Sequence, residues 1–168
     1  MKAKLIVEGR EFPIEIQDPE LQKLLTPQKT GYERVSAGQK YWLQDVRGRV
    51  CWDTEPIHFT EYNEDYNSAN YYSDDTIAKN NSRVDKIMRQ LRRFAVEHRK
   101  QEIDWYNHSM HKYIIGFNYK TQDFYIDYCY AERYFGMLFF DSEETAQLAI
   151  DTFHDELVWY FTEYKDSL

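Results

Sequence analysis

One pattern occurs twice in this chain and limits what it can fold into. An aromatic pair runs into acidic and hydroxyl residues and then into apolar positions at helical spacing. The first copy is Tyr71-Tyr72-Ser73-Asp74-Asp75-Thr76-Ile77-Ala78, and the second is Phe139-Phe140-Asp141-Ser142-Glu143-Glu144-Thr145-Ala146. Each reads as a strand end passing into a capped helix start, with acids in the first turn where the helix dipole favours them. Asp141 with Glu144 three residues on has the spacing of a capping box. Upstream of each copy lies a strand-turn-strand pattern. Lys40-Tyr41-Trp42-Leu43 turns at Arg47-Gly48 and returns through Val50-Cys51-Trp52; Lys112-Tyr113-Ile114-Ile115 turns near Lys120-Thr121 and returns through Phe124-Tyr125-Ile126. The chain thus reads as two similar strand-turn-strand-helix units, aligned Lys40 with Lys112.

The helices that follow are long and amphipathic. Ile77, Val84, Met88, Leu91 and Ala95 form a stripe over about Asp74 to Glu102, a helix of ~40 Å at ~1.5 Å per residue. Ala146, Ala149, Ile150, Phe153, Leu157 and Phe161 point inward over about Ser142 to Tyr164. Between them, 112–119, 123–130 and 134–140 read as strands. Ahead of both units, residues 2–16 alternate as a β-hairpin, and Asp18-Pro19-Glu20 opens a short helix. The expected fold is α+β with an antiparallel sheet. It divides into 1–38 (hairpin and short helix), 39–104 (first unit) and 105–168 (second unit), as one globule or two small domains.

Composition narrows the class. Tyr, Phe and Trp make 17% of 168 residues, too much aromatic surface for a disordered chain. No apolar run approaches the ~18 residues of a membrane span, so no membrane partner is expected. Met-Lys-Ala-Lys-Leu-Ile-Val-Glu turns acidic too soon for a secretion signal. Two cysteines, Cys51 and Cys129, suit a reducing cytoplasm.

Motifs for catalysis are missing. There is no Gly-x-Ser-x-Gly, and six glycines make no phosphate cradle. His108 and His111 lack the following glutamate of a zinc protease and read as loop histidines. Cys51 and Cys129, on strands, read as small buried hydrophobes. Asp74-Asp75 reads as helix-start charge. No enzyme activity, metal or cofactor is expected.

Charge says more. Residues 79–100 hold eight cations against Asp85 and Glu97, a net +6, which leaves −14 for the remainder of a chain whose total is −8. Residues 50–78 carry seven acids and no Lys or Arg. The basic face, with Arg83, Lys86, Arg89, Arg92 and Arg93, could grip phosphates. The acidic, tyrosine-rich stretch could instead occupy a basic groove on a protein partner and imitate nucleic acid. Its candidate residues are Glu61, Tyr62, Glu64, Asp65, Tyr66, Asn67, Asn70 and Tyr71, since Tyr suits interfaces and residues 59–72 have no obvious core to fill.

Three segments carry a resemblance over roughly 35–165. They are Lys40-Tyr41-Trp42-Leu43 with Gly48, Tyr66-Asn67 with Asn70-Tyr71-Tyr72, and Gly136 to Glu144 with its helix. The chain resembles small uncharacterised accessory proteins of phages and prophages of Gram-positive bacteria. Ala69 stands where that family's Asn-x-Gly-Asn pattern has its small residue, and Ser73-Asp74-Asp75 replaces a lysine-bearing helix start. The resemblance implies a mobile-element protein in a bacterial cytoplasm, acting as an anti-defence inhibitor such as an anti-CRISPR. Its partner would be a host defence protein, for instance a nucleic-acid-guided nuclease, engaged through the acidic Tyr-rich surface. The alternatives are a nucleic-acid-binding protein using helix 79–100, or a protein that sequesters a small nucleotide signal. A long helix with surplus aromatics also suits a homodimer.

Overall fold

The computed structural model describes residues 2–7, 10–25, 29–57 and 63–166. The chain is α+β, as its patterns predict. Strands β1 (Lys2–Val7) and β2 (Arg10–Glu15) pair antiparallel, Leu5 opposite Phe12. Helix α1 (Pro19–Leu25) follows, its first backbone N–H groups received by Asp18. Each later unit opens with an antiparallel ribbon. In the first, β3 (Lys40–Gln44) pairs with β4 (Val50–Thr54), Trp42 opposite Trp52. One turn of helix, α2 (Glu64–Asn67), precedes the long α3 (Asp75–His98). In the second unit, β5 (Lys112–Asn118) pairs with β6 (Asp123–Cys129), Ile115 opposite Ile126, and α4 (Glu143–Thr152) and α5 (His154–Thr162) follow.

Both units join ribbon to helix in the same way. The second residue before each helix cap pairs with the ribbon through one antiparallel bridge: Tyr72 with Trp42, and Phe140 with Tyr113. Each bridge is a reciprocal pair of backbone hydrogen bonds of 2.8–3.0 Å. Two residues beyond each bridge sits the helix cap, Asp74 in the first unit and Ser142 in the second. The bridges therefore equate Trp42 with Tyr113 and Tyr41 with Lys112, one residue away from the alignment read in the sequence. That register matches burial, because Tyr41 is 3% exposed and Lys112 fully buried, while Lys40 lies in solvent.

Three features depart from the sequence reading. Residues 134–140 form no third strand and bridge to the ribbon only at Phe140, so the antiparallel sheet is a set of two-stranded ribbons among the described residues. The last helix is broken at Phe153, whose φ of −114° leaves the helical range and starts α5 in a new direction. Phe153 there packs edge-on against Phe94. The cap of α4 is Ser142, whose Oγ receives Thr145 N–H, and not Asp141. Asp141 turns back to accept the N–H groups of Lys100 and Gln101.

Helix α3 serves two cores. Near its start Ile77 and Ala78 pack with Tyr72, flanked by Trp42 and Val50. Further along, Ile87, Leu91 and Phe94 pack with Phe140, Ala146, Ala149, Ile150 and Leu157. The two units thus share one rod, across the boundary placed at 104/105 in the sequence. Removing several methyl groups from a closed core costs about 2–5 kcal/mol. Ile77→Ala and Leu91→Ala should each lower stability by that much. Residue-resolved NMR through a urea series should show Trp42 and Trp159 losing their native signals together; separate midpoints would contradict a shared rod.

Candidate functional site

The acidic stretch is built inward. Glu55, 1% exposed, accepts from Arg34 at 2.7 and 2.8 Å, from the Tyr71 hydroxyl at 2.8 Å and from Asn63 at 3.2 Å. Tyr71 itself receives Val35 N–H at 3.0 Å and stacks on Tyr41 with ring centroids 4.2 Å apart. Tyr41 donates to Asp65 at 2.8 Å. The Asn70 amide spans the backbone N–H and C=O of Gln44 at 2.9 and 2.8 Å. Tyr71 is 2% exposed and Tyr72 6%, so this aromatic pair fills a core that the sequence reading did not give it. Burying so polar a group as Glu55 is tolerated because its oxygens are paired with a guanidinium and neutral donors.

Of the residues proposed as a partner surface, Glu64, Tyr66 and Asn67 are exposed, with Tyr66 edge-on to Tyr71 and under Arg34 at 5.5 Å. Asp65 and Asn70 are half-buried and bonded as above, and Tyr71 is interior. Glu61 and Tyr62 lie outside the described residues. The other acids of the stretch are largely engaged as well. Asp74 caps α3 by accepting from Thr76 and Ile77 N–H, and Asp75 pairs with Lys79 at 2.5 Å.

The basic helix divides differently. Arg83 is held by Glu156 at 2.8 Å and lies over the Trp159 ring at 3.9 Å. Arg93 pairs with Glu97 at 3.6 Å, Arg99 with Glu102 at 3.2 Å and Lys100 with Glu144 at 3.5 Å. Lys86, Arg89 and Arg92 are exposed, and no carboxylate among the described residues pairs with them. They recur every three residues, so they are neighbours on the helix surface and span ~9 Å along its axis. Arg89 lies against the β3–β4 turn: a Cβ on Gly48 would stand 2.9 Å from its Nη2. Beside this stripe Lys79, Ser82, Arg83, Lys86 and Gln90 line an open cleft of about 390 Å³ between α3, β4 and α5.

No His/Cys/Asp/Glu cluster able to hold a metal occurs among the described residues, nor is any helix there long and apolar enough to cross a membrane. His108 is exposed, while His111 stacks on Tyr128 at 4.4 Å. Cys129 is buried and its thiol is pushed up by desolvation; Cys51, by contrast, is exposed on β4, against the expectation for a strand cysteine. Sequence reasoning gave no interior role to Glu55, Arg34 or Lys112. Lys112 is fully buried and donates to the carbonyls of Asn107 and Tyr130 at 2.7 and 2.6 Å, which no local pattern announces.

Comparison with known proteins adds no template. No family model, curated protein or solved structure matches this chain.

Two outcomes test the loop's construction. Burial holds the Tyr71 phenol at about 12, with the carboxylate of Glu55 adding to the shift. The unfolded phenol ionises near ~10. Its stabilising effect is therefore complete below pH ~10 and lost as pH rises towards about 12. Urea midpoints should fall across that range, and Tyr71→Phe should flatten part of the fall. Ala69 sits at φ 58°, where a Cβ costs about 1–2 kcal/mol. Ala69→Gly should raise stability by about 1 kcal/mol after the extra freedom of unfolded glycine is deducted.

Proposed function

We propose that this protein binds the phosphate backbone of nucleic acid through the exposed face of α3. The observation that carries this reading is the uneven use of charge. Glu55, Asp65, Asp74 and Asp75 are drawn into caps, ion pairs and the Glu55 network, whereas Lys86, Arg89 and Arg92 face solvent with no carboxylate partner among the described residues. A cation left in this state attracts anions without first breaking an internal pair. Three such cations on a rigid helix form a row that can track a polyanion, with Arg able to grip phosphate in bidentate fashion. The adjoining cleft widens the row through Lys79 and Arg83, whose pairs with Asp75 and Glu156 are solvent-exposed and weak.

In the setting implied by the sequence resemblance, the strand would be one carried or targeted by a host defence nuclease. Inhibition through an acidic surface, the leading expectation from the sequence, becomes the second reading, supported by Glu64, Tyr66 and Asn67, which share one exposed helical turn.

Fluorescence anisotropy on labelled 20-nucleotide single strands and duplexes, from about 50 to 200 mM salt, tests the first reading. Affinity should fall steeply and log-linearly with salt. The K86Q/R89Q/R92Q variant should reduce the duplex slope by about 2–3, at ~0.9 per lost phosphate contact. Equal slopes for the two proteins, or no binding at about 50 mM salt, would overturn it. A triple change at Glu64, Tyr66 and Asn67 should leave the slope unaltered.

A further inference from the structure

A second cleft, of about 370 Å³, opens at the far end of the same helix, lined among others by Arg92, Arg99, Glu102, Trp105, Leu138 and Asp141. Its volume lies within the ~300–1,000 Å³ of small-molecule sites. Arg92 belongs both to this cleft and to the cationic row, so a strand gripped by the row passes its mouth.

Asp141 is the unusual member. It is 3% exposed, and its Oδ2 is used fully, accepting Lys100 N–H at 2.7 Å and Gln101 N–H at 3.1 Å. Its Oδ1 has almost no accessible surface and no hydrogen-bond donor among the described residues. A buried carboxylate oxygen without a donor is costly and rare in native proteins. At the equivalent place in the first unit Ser73 has no such surplus: its hydroxyl donates to Glu33 at 2.8 Å and its N–H to Gly31 at 2.7 Å. A cleft of about 530 Å³ lies beside Ser73 as well, so among the described residues it is the spare acceptor, not the cleft, that is peculiar to the second unit.

We infer that this cleft receives an unpaired guanine base of a single strand whose phosphates lie along Lys86, Arg89 and Arg92. The inference rests on the nucleic-acid reading and names what that site would read. The chemistry selects the base. Guanine presents two adjacent donors, N1–H and N2–H, at one end of its pairing edge, with no acceptor between them. Adenine and cytosine place a ring acceptor beside their amino group, and uracil flanks its single N–H with two carbonyls; each would set a lone pair against the carboxylate. Guanine also offers O6 and N7 to an arginine, the commonest specific base contact. Arg92 and Arg99 stand at the rim for that role, and Arg99 is held only by the exposed Glu102 at 3.2 Å. Leu138 and the half-buried Trp105 supply an apolar wall. Because Oδ1 is buried, entry requires the lining of the cleft to move and open it to the base.

Anisotropy with 12-nucleotide oligouridylate, and with the same strand carrying one central guanine, adenine or inosine, tests this. The guanine strand should bind about tenfold tighter than the adenine strand, with inosine between them because it keeps N1–H and lacks the amino group. Asp141→Asn keeps an oxygen for the two backbone N–H groups but puts an amide in place of the free acceptor. It should erase the guanine preference and leave the salt slope unchanged. Leu138→Trp, which fills the cleft, should do the same, and amide NMR spectra confirm that both variants fold. Equal binding of all four strands would overturn the guanine site while leaving the backbone reading intact. A guanine preference that survives both variants would overturn it too, Oδ1 then being satisfied by a buried water only. Failure of every strand to bind would remove both readings together.

Discussion

The two ribbon-and-helix units are arranged around a helix that is apolar on more than one side. Along its first turns α3 meets the β3–β4 ribbon through Ile77 and Ala78, and along its later turns it meets α4 and α5 through Ile87, Leu91 and Phe94. A rod clamped in this way cannot roll about its axis without exposing one core or the other. Lys86, Arg89 and Arg92 are therefore kept on the outward side by packing on the opposite faces, with no ion pair of their own among the described residues. Rigidity of this kind matters for a surface that must match a repeating charge, because the side chains start from a fixed spacing.

Net charge describes such a molecule badly. The sum of −8 hides a segment of +6, but the structure adds a distinction that no sum contains, between charge that is engaged and charge that is left over. Glu55 and Asp65 act inside the loop that carries them, and Asp74 acts on the helix end that follows. Glu55 is matched by the Arg34 guanidinium, and Asp65 and Asp74 are committed to neutral donors. Lys86, Arg89 and Arg92 have no such match among the described residues, so the field near α3 is stronger than composition suggests.

The parts of the fold legible in sequence were those set by local chemistry. Ribbons follow from alternation and turn glycines, and the start of α3 from Asp74 ahead of an apolar stripe. The break at Phe153 was not legible, since nothing nearby is a glycine or proline and the aromatic turns aside to meet Phe94, far away in sequence. Residues 134–140 look like a strand but meet a partner only at Phe140, because pairing depends on where the ribbon already lies. Tyr71 is the instructive case. Read in its own neighbourhood it belongs to a polar loop, yet its counterpart Phe139 is plainly apolar, and the repeat was the available sign that both are interior. Of the candidate sites, the cationic row could be read directly, whereas the Asp141 cleft could not. A helix-start acid looks the same in sequence whether it caps its own helix or reaches back to residues 100 and 101.

The one-residue shift between the sequence repeat and the bridges puts a phenol and an ammonium at equivalent places beneath the two ribbons. Tyr41 is completed by a carboxylate, and Lys112 by two carbonyl groups with Trp105 nearby. Similar units within one chain invite exchange during folding, with a ribbon settling on the wrong helix start. Here such an exchange would carry an ammonium away from the carbonyls that solvate it and a phenol away from its acceptor. The two units thus bear different keys on a shared shape, and each ribbon fits its own lock.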